Sequence, residues 1–91
     1  MNRIQAIKKL LLVDWDPIGI SDEPHAQDEY DMYVPGIVEI LSRGGNQQQL
    51  ADYLLWIVTE RMSLGGNRQH NQQIAVRLLR IWDAESGEDK T

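Results

Sequence analysis

The sequence predicts an all-α fold, a single small domain of about four helices, and three observations lead to that prediction. Apolar residues recur at intervals of three and four in four stretches of the chain, which is the spacing of amphipathic helices. Glycine and asparagine stand between stretches, where helices commonly end and begin. The 91 residues fit one domain. We expect a helical domain over residues 1–84 and a frayed tail over residues 85–91.

The first helix is predicted over residues 2–14, and a long loop follows it. The apolar stripe of this helix begins at Ile4 and reaches Val13. Pro17 prevents the helix from continuing. The segment 15–27 contains two prolines and a glycine and has no helical period, which indicates an ordered loop of about a dozen residues. Loops of that length in small domains commonly carry function.

The second helix is predicted over residues 29–43, with Asp28 as its N-cap. Pro35 and Gly36 interrupt the helical pattern. Proline inside a helix removes a backbone hydrogen bond and clashes with the preceding turn. We therefore expect a Pro35-Gly36 kink in this helix, or two short helices that meet near Val34.

The third helix is predicted to begin after the cap residue Asn46 and to continue up to Gly65, and the fourth to cover residues 67–84. The pattern S-x-G-G-N-x-Q occurs twice, starting at Ser42 and at Ser63, and each copy precedes a helix. A glycine stop followed by an asparagine cap is the ordinary chemistry of a tight joint between helices. We interpret the two copies as such joints rather than as a duplicated unit.

Negative charge is concentrated in residues 14–31. The chain has a net charge of −5, and this segment holds seven carboxylates and no Lys or Arg. Those carboxylates belong to Asp14, Asp16, Asp22, Glu23, Asp28, Glu29 and Asp31. An acidic surface repels phosphate backbones, so we expect no nucleic-acid binding. The same surface favours a basic protein partner.

Cysteine is absent, which excludes disulfides, thiol catalysis and thiolate metal sites and agrees with a reducing compartment. The apolar run at Leu10–Val13 is too short for the core of a signal peptide or for a membrane span. We therefore expect a cytoplasmic protein without membrane contact.

The acidic segment 14–31, which includes the predicted loop, contains most of the candidate functional residues. We predict the partner-binding residues to be Asp16, Asp22, Glu23, His25, Asp28, Glu29 and Tyr30. Trp15 is predicted to close one end of the core. Arg61 follows Ile57 by four residues and is predicted to clamp the loop to the helices by pairing with a loop carboxylate.

Catalytic and metal-binding motifs are not recognisable. A calcium loop counted from Asp14 fails, because its fifth position is Ile18 and its twelfth is His25. The sequence has no catalytic nucleophile motif and no phosphate-cradling loop. We expect a protein that is not an enzyme, with no catalytic residues, no metal ligands and no cofactor. A metal-dependent enzyme using Asp16, Asp22, His25 and Glu29 stays as an alternative.

Three short motifs give a resemblance. The sequence contains W-D-P-I-G from Trp15, D-E-Y-D from Asp28 and T-E-R-M from Thr59. With these motifs the chain resembles an uncharacterised bacterial family of short helical proteins, a domain of unknown function. The resemblance spans most of residues 4–65 and implies a cytoplasmic helical domain. It implies no activity, and the Gln- and Asn-rich stretch 67–73 departs from it.

The leading hypothesis is a non-catalytic protein-binding module that docks a basic protein through the acidic loop. Immunity or antidote proteins against toxins are often small, acidic and free of catalytic motifs in this way. The alternative is a self-associating structural protein in which Leu55 and Trp56 form a homodimer seam on the third helix.

Overall fold

A computed structural model describes residues 2–88, and helices are its only regular elements over that range. The α-helices are α1 (Arg3–Leu10), α2 (Val34–Ser42), α3 (Gln47–Trp56) and α4 (Arg68–Glu88). This arrangement confirms the prediction of a small all-α domain with four helices.

Two of the helices end in a wider, π-helical turn. Helix α1 continues as Leu11–Trp15, and α3 continues as Ile57–Arg61. The backbone N–H of Asp16 donates to the carbonyl oxygen five residues earlier at 2.9 Å, and that of Met62 does so at 3.0 Å. A left-handed residue then turns the chain, Asp16 with φ 33° after α1 and Ser63 with φ 56° after α3. The third helical stretch therefore ends before the predicted limit at residue 65.

Proline divides the second helical stretch into two pieces. A 3-10 turn at Asp31–Tyr33 is followed directly by α2, and Pro35 lies in the first turn of α2. Backbone N–H groups in the first turn of a helix have no intrahelical acceptor, so a proline there removes no helical hydrogen bond. The result is two short helices that meet at Val34, the second of the two predicted outcomes, and the predicted N-cap at Asp28 lies outside both pieces.

Asparagine caps begin α3 and α4. Asn46 accepts a hydrogen bond from the backbone of Gln49, whose side chain returns one to the backbone of Asn46, forming a capping box. Asn67 accepts from the backbone N–H of His70 at 3.0 Å. Helix α4 passes the predicted end at residue 84 and reaches Glu88, so part of the predicted tail is helical. The remainder of that tail, residues 89–91, lies outside the described residues.

One core joins all four helices. Helix α4 packs against α1 and α3, and α2 packs against α3 and α1. The buried apolar residues are Ile7, Leu10, Leu11, Trp15, Tyr30, Val34, Ile37, Ile40, Leu41, Leu50, Ala51, Leu54, Ile57, Val58, Ile74, Ala75 and Leu78. Val13 was predicted in the apolar stripe but is 53% exposed, because Leu11 and Trp15 occupy the inward face of that turn.

Arg3 fastens the start of α1 to α4. Its guanidinium donates two hydrogen bonds to the backbone carbonyl oxygen of Trp82, at 2.9 and 3.2 Å. The same guanidinium lies 3.9 Å from the centre of the Trp82 ring, within cation–π distance. Residues near opposite ends of the chain are thereby held together.

The close approach of α2 to α3 generates a test at Gly36. A Cβ atom there would overlap the hydroxyl and ring of Tyr53. We expect Gly36→Ala to lower the free energy of unfolding by about 1–2 kcal/mol, because the overlap outweighs the helix propensity that alanine adds. Urea unfolding measures the change. Gly65→Ala is the control, since a Cβ at Gly65 meets no atom within 4 Å. Equal stability of both variants would contradict the close approach.

Candidate functional site

The acidic loop, defined here as residues 16–30, is ordered by a succession of tight turns. Backbone N–H groups donate to the carbonyl oxygen three residues earlier at Gly19, Glu23, Ala26 and Glu29, at 2.9–3.2 Å. The side-chain amide of Gln27 adds bonds to two further loop carbonyls, at 2.8 and 3.2 Å. The loop therefore has a defined backbone of its own.

A carboxylate and a phenol fasten the two ends of the acidic loop to each other. Oδ1 of Asp16 accepts hydrogen bonds from the backbone N–H of Ile20 and from the hydroxyl of Tyr30, each at 2.8 Å, and Oδ2 accepts from the N–H of Ser21 at 3.3 Å. The Tyr30 hydroxyl also accepts from the N–H of Ile18 at 3.0 Å. Asp16 and Tyr30 thus satisfy polar groups that the loop would otherwise leave unpaired.

These hydrogen bonds shift the protonation of both side chains. Partial burial raises the pKa of the Asp16 carboxyl, but the bonds donated by Ile20, Tyr30 and Ser21 together outweigh it and hold that pKa below its ordinary value. Burial raises the pKa of the Tyr30 hydroxyl, and the negative charge of Asp16 raises it further. At neutral pH the pair therefore consists of an ionised carboxylate and a protonated phenol.

Trp15 anchors the start of the loop to α4. Its ring is 2% exposed and contacts Tyr30 and Tyr33, with centroid distances of 5.4 and 6.5 Å. The indole Nε1–H donates to Oδ1 of Asn71 at 2.9 Å. Nε2 of His70 lies 3.2 Å from the backbone carbonyl oxygen of Trp15, which can only accept a hydrogen bond. Helix α4 therefore contacts both the side chain and the backbone of Trp15.

Arg61 does not clamp the acidic loop, contrary to the prediction. Its side chain is exposed and forms no ion pair with any described residue. Asp16 is the inward-facing loop carboxylate, and its partners come from the loop itself. The acids that flank the loop pair elsewhere, Asp31 with Lys8 at 3.6 Å and Asp14 with Arg77 at 3.3 Å.

The predicted partner-binding residues divide into two groups. Asp16 and Tyr30 face inward and fasten the loop, and Tyr30 is only 2% exposed, so its side chain is a structural element. The others are exposed on the loop: Asp22, Glu23, His25, Asp28 and Glu29. The structure therefore brings five of the predicted residues to one surface segment.

A groove of about 580 Å³ separates α1 from the acidic loop. Lys8 and Lys9 contribute to its α1 side, while His25, Asp28 and Asp31 contribute to the other. Positive and negative side chains thus face each other across the groove, and the Lys8–Asp31 ion pair lies within it. Of the exposed loop carboxylates, Asp28 lines this groove, whereas Asp22, Glu23 and Glu29 do not.

Two residues of α4 contact Trp15, and the sequence analysis did not predict these contacts. Asn71 is 2% exposed, and His70 is half-buried against Trp15. Helical spacing could have identified Asn71, because it lies three, four and seven residues before Ile74, Ala75 and Leu78, on the buried face of α4. An amide on such a face indicates a specific polar contact.

The alternative roles receive little geometric support. Among the side chains that the structure describes, those of residues 2–84, no three from His, Asp or Glu lie close enough to hold a metal ion, so Asp16, Asp22, His25 and Glu29 do not form a cluster. On α3, Trp56 is 47% exposed and stacks on a neighbouring tyrosine. The predicted second member of the seam, Leu55, is instead half-buried.

Comparison with protein-family models, curated proteins and solved structures finds no match to this chain. The resemblance given by the W-D-P-I-G, D-E-Y-D and T-E-R-M motifs therefore stays a prediction. A separate inspection of the described helices finds none that combines the length and the apolar character needed to cross a membrane.

The hydroxyl of Tyr30 provides a test of how the loop is fastened. We expect Tyr30→Phe to lower the free energy of unfolding by about 1–2 kcal/mol, because it leaves the N–H of Ile18 without its acceptor and removes one of the two hydrogen bonds to Oδ1 of Asp16. Amide hydrogen exchange at Ile18 should accelerate. Tyr33→Phe is the matched control, since the hydroxyl of Tyr33 makes no hydrogen bond among the described residues. Unchanged exchange at Ile18 would show that the hydroxyl does not fasten the loop.

The lowered pKa of Asp16 predicts a pH-dependent contribution to stability. Its ionised form stabilises the fold above the unfolded-state pKa of about 3.9, and this contribution disappears as the pH falls through the lower folded-state value. We expect Asp16→Asn to cost about 1–3 kcal/mol at neutral pH and much less in strong acid. Urea unfolding at both conditions measures the difference, with exposed Asp22→Asn as the control. A cost that does not depend on pH would refute the role of the charge.

Proposed function

We propose that this protein is a non-catalytic protein-binding module whose acidic loop docks a basic protein partner. The observation that carries the proposal is that four exposed carboxylates of the loop, those of Asp22, Glu23, Asp28 and Glu29, form no ion pair with any described residue. Exposed carboxylates of one sign raise the local concentration of a positively charged partner and accelerate its association.

The fixed backbone of the loop supports the same proposal. Successive tight turns and the Asp16–Tyr30 bond set the loop conformation before any partner is present. A segment that is already ordered loses little conformational entropy when it binds. The loop can therefore bind a partner with its carboxylates already in place, and binding costs little conformational entropy.

Exposed apolar side chains beside the acids give a second kind of contact. Ile18 is 48% exposed within the loop, and Met32 is 63% exposed just after it. Methionine is enriched in protein interfaces because its flexible, polarisable side chain adapts to a partner surface. Charge would attract the partner, while burial of these side chains would contribute to holding it.

An immunity or antidote protein is the particular kind of module that we favour. Such a protein needs a small, preformed acidic surface and no catalytic residues of its own. The competing proposal is self-association through α3, for which the exposure of Trp56 is the supporting observation. With Leu55 half-buried, the apolar seam is narrower than the sequence predicts. We therefore place self-association second.

Affinity capture with two charge-matched variants tests the proposal. The loop variant carries Asp22→Asn, Glu23→Gln, Asp28→Asn and Glu29→Gln. The control variant carries Glu39→Gln, Asp52→Asn, Glu60→Gln and Asp83→Asn, which are exposed acids outside the loop. We expect a basic protein to be captured by wild type and by the control variant but not by the loop variant. With the captured protein purified, raising the salt concentration should slow association about tenfold or more while dissociation changes little.

Each arm of this experiment can contradict the proposal. Equal loss of the partner from both variants would assign the effect to net charge, because both variants remove the same number of carboxylates. Equal capture by all three chains would make the loop a structural feature. If the captured protein is a second copy of this chain and the loop variant binds it unchanged, self-association takes the place of the proposed function.

A further inference from the structure

The groove between α1 and the acidic loop has two walls of opposite charge. Its volume of about 580 Å³ lies within the usual range for small-molecule sites. The α1 wall carries Lys8 and Lys9, and α1 contains no acidic residue. The facing wall carries Asp28 and Asp31. A groove of this kind is suited to a ligand that itself carries one charge of each sign.

The charged side chains of the groove are accessible to solvent and only partly paired. Lys8 and Asp31 lie 3.6 Å apart, and their side chains are 37% and 38% exposed. An ion pair this exposed contributes little to stability, so a ligand that competes for its members displaces little. Lys9 and Asp28 are exposed, and neither forms an ion pair with any described residue. One cation and one anion therefore line the same groove without pairing with each other.

Apolar surface accompanies these charges on both walls. Gln5, Lys8 and Leu12 follow one another at intervals of three and four residues, so one face of the first helical stretch forms the α1 wall. Leu12 is half-buried against the core, and Pro24 adds an exposed apolar surface from the loop. The hydrocarbon part of a ligand can be removed from water against these two side chains.

The loop wall has a fixed shape before a ligand binds. The side-chain amide of Gln27, which lines the groove, donates to the carbonyl oxygens of Ser21 and Glu23 at 3.2 and 2.8 Å. The backbone N–H of Asp31 donates to the carbonyl oxygen of Asp28 at 3.1 Å, which sets the spacing of these two acids. The other wall is a helix. A site that is formed in advance loses little conformational entropy on binding.

We propose that this groove binds a small ω-amino carboxylate, a molecule in which an apolar chain joins a carboxylate to an ammonium group. The carboxylate pairs with Lys9, the ammonium pairs with Asp28, and the chain packs against Leu12 and Pro24. The ligand thereby bridges two charges that the protein leaves apart. This site is independent of the proposed docking function, because Asp28 is the only one of the four unpaired loop carboxylates that it uses.

Three probes of similar shape test the two ion pairs. ε-Aminohexanoate carries both charges, hexanoate carries only the carboxylate, and hexylamine carries only the ammonium. In ¹⁵N-resolved NMR titrations of the full chain at constant ionic strength, ε-aminohexanoate should shift the backbone amides of Lys9 and Asp28 in a saturable manner. We expect hexanoate and hexylamine each to bind about fivefold more weakly, the upper range for one solvent-exposed ion pair. Unshifted signals, or equal affinity for all three probes, would overturn the proposal.

Free lysine tests the class of ligand. It differs from ε-aminohexanoate by an ammonium group next to the carboxylate, and that group would face Lys8 and Lys9. Because like charges repel, we expect lysine to bind more weakly than ε-aminohexanoate. Tighter binding of lysine would contradict an ω-amino carboxylate as the ligand.

Two neutral variants assign the walls. Lys9→Gln should abolish the preference for ε-aminohexanoate over hexylamine, and Asp28→Asn should abolish the preference over hexanoate, because each variant removes one ion pair. Both side chains are exposed, so we expect both variants to fold. The matched controls Arg68→Gln and Glu60→Gln neutralise exposed charges outside the groove and should retain both preferences. A preference that survives the groove substitution would overturn the proposal, and so would its loss in the controls, which would assign it to net charge.

Discussion

The packing and hydrogen bonding of Trp15 are the interactions on which the rest of the molecule depends. The Trp15 ring packs against Tyr30 at the end of the core, and its indole N–H donates to Asn71 of α4. The backbone carbonyl oxygen of Trp15 lies close to the ring of His70. Because the acidic loop begins at the next residue, the position of Trp15 fixes where the loop leaves the helices. A loop with few buried residues of its own needs such a fixed origin.

The two joints between helices share the pattern S-x-G-G-N-x-Q but differ in backbone conformation and in hydrogen bonding. At the first joint Gly44 takes the positive φ of 79°, and Gln49 closes a capping box with Asn46. At the second joint Ser63 takes the positive φ, and His70 occupies the position that corresponds to Gln49. His70 turns to Trp15 instead of closing a box. The second joint therefore gives up a local capping bond and gains a long-range contact.

Local patterns predicted the parts of the fold that neighbouring residues decide. The asparagine cap before α3 and the break at Pro35 both follow from contacts within a few residues. The prediction for Arg61 failed because spacing places a side chain on a helix face but does not choose its partner across the molecule. The π-helical ends of α1 and α3 had no sequence signal, since they depend on how each helix meets the loop after it. Asn71 has such a signal, because it lies on the buried face of α4 with Ile74, Ala75 and Leu78.

The acidic loop combines order with electrostatic self-repulsion. Four exposed carboxylates without ion pairs lie within a segment of eight residues, 22–29, and like charges so close raise the free energy of the folded state. Exposure to water reduces this repulsion, and the hydrogen bonds of Asp16 and Tyr30 oppose it without neutralising any of the four charges. A basic partner would remove the repulsion directly. On the proposed function, the repulsion within the free protein thus becomes part of the driving force for binding.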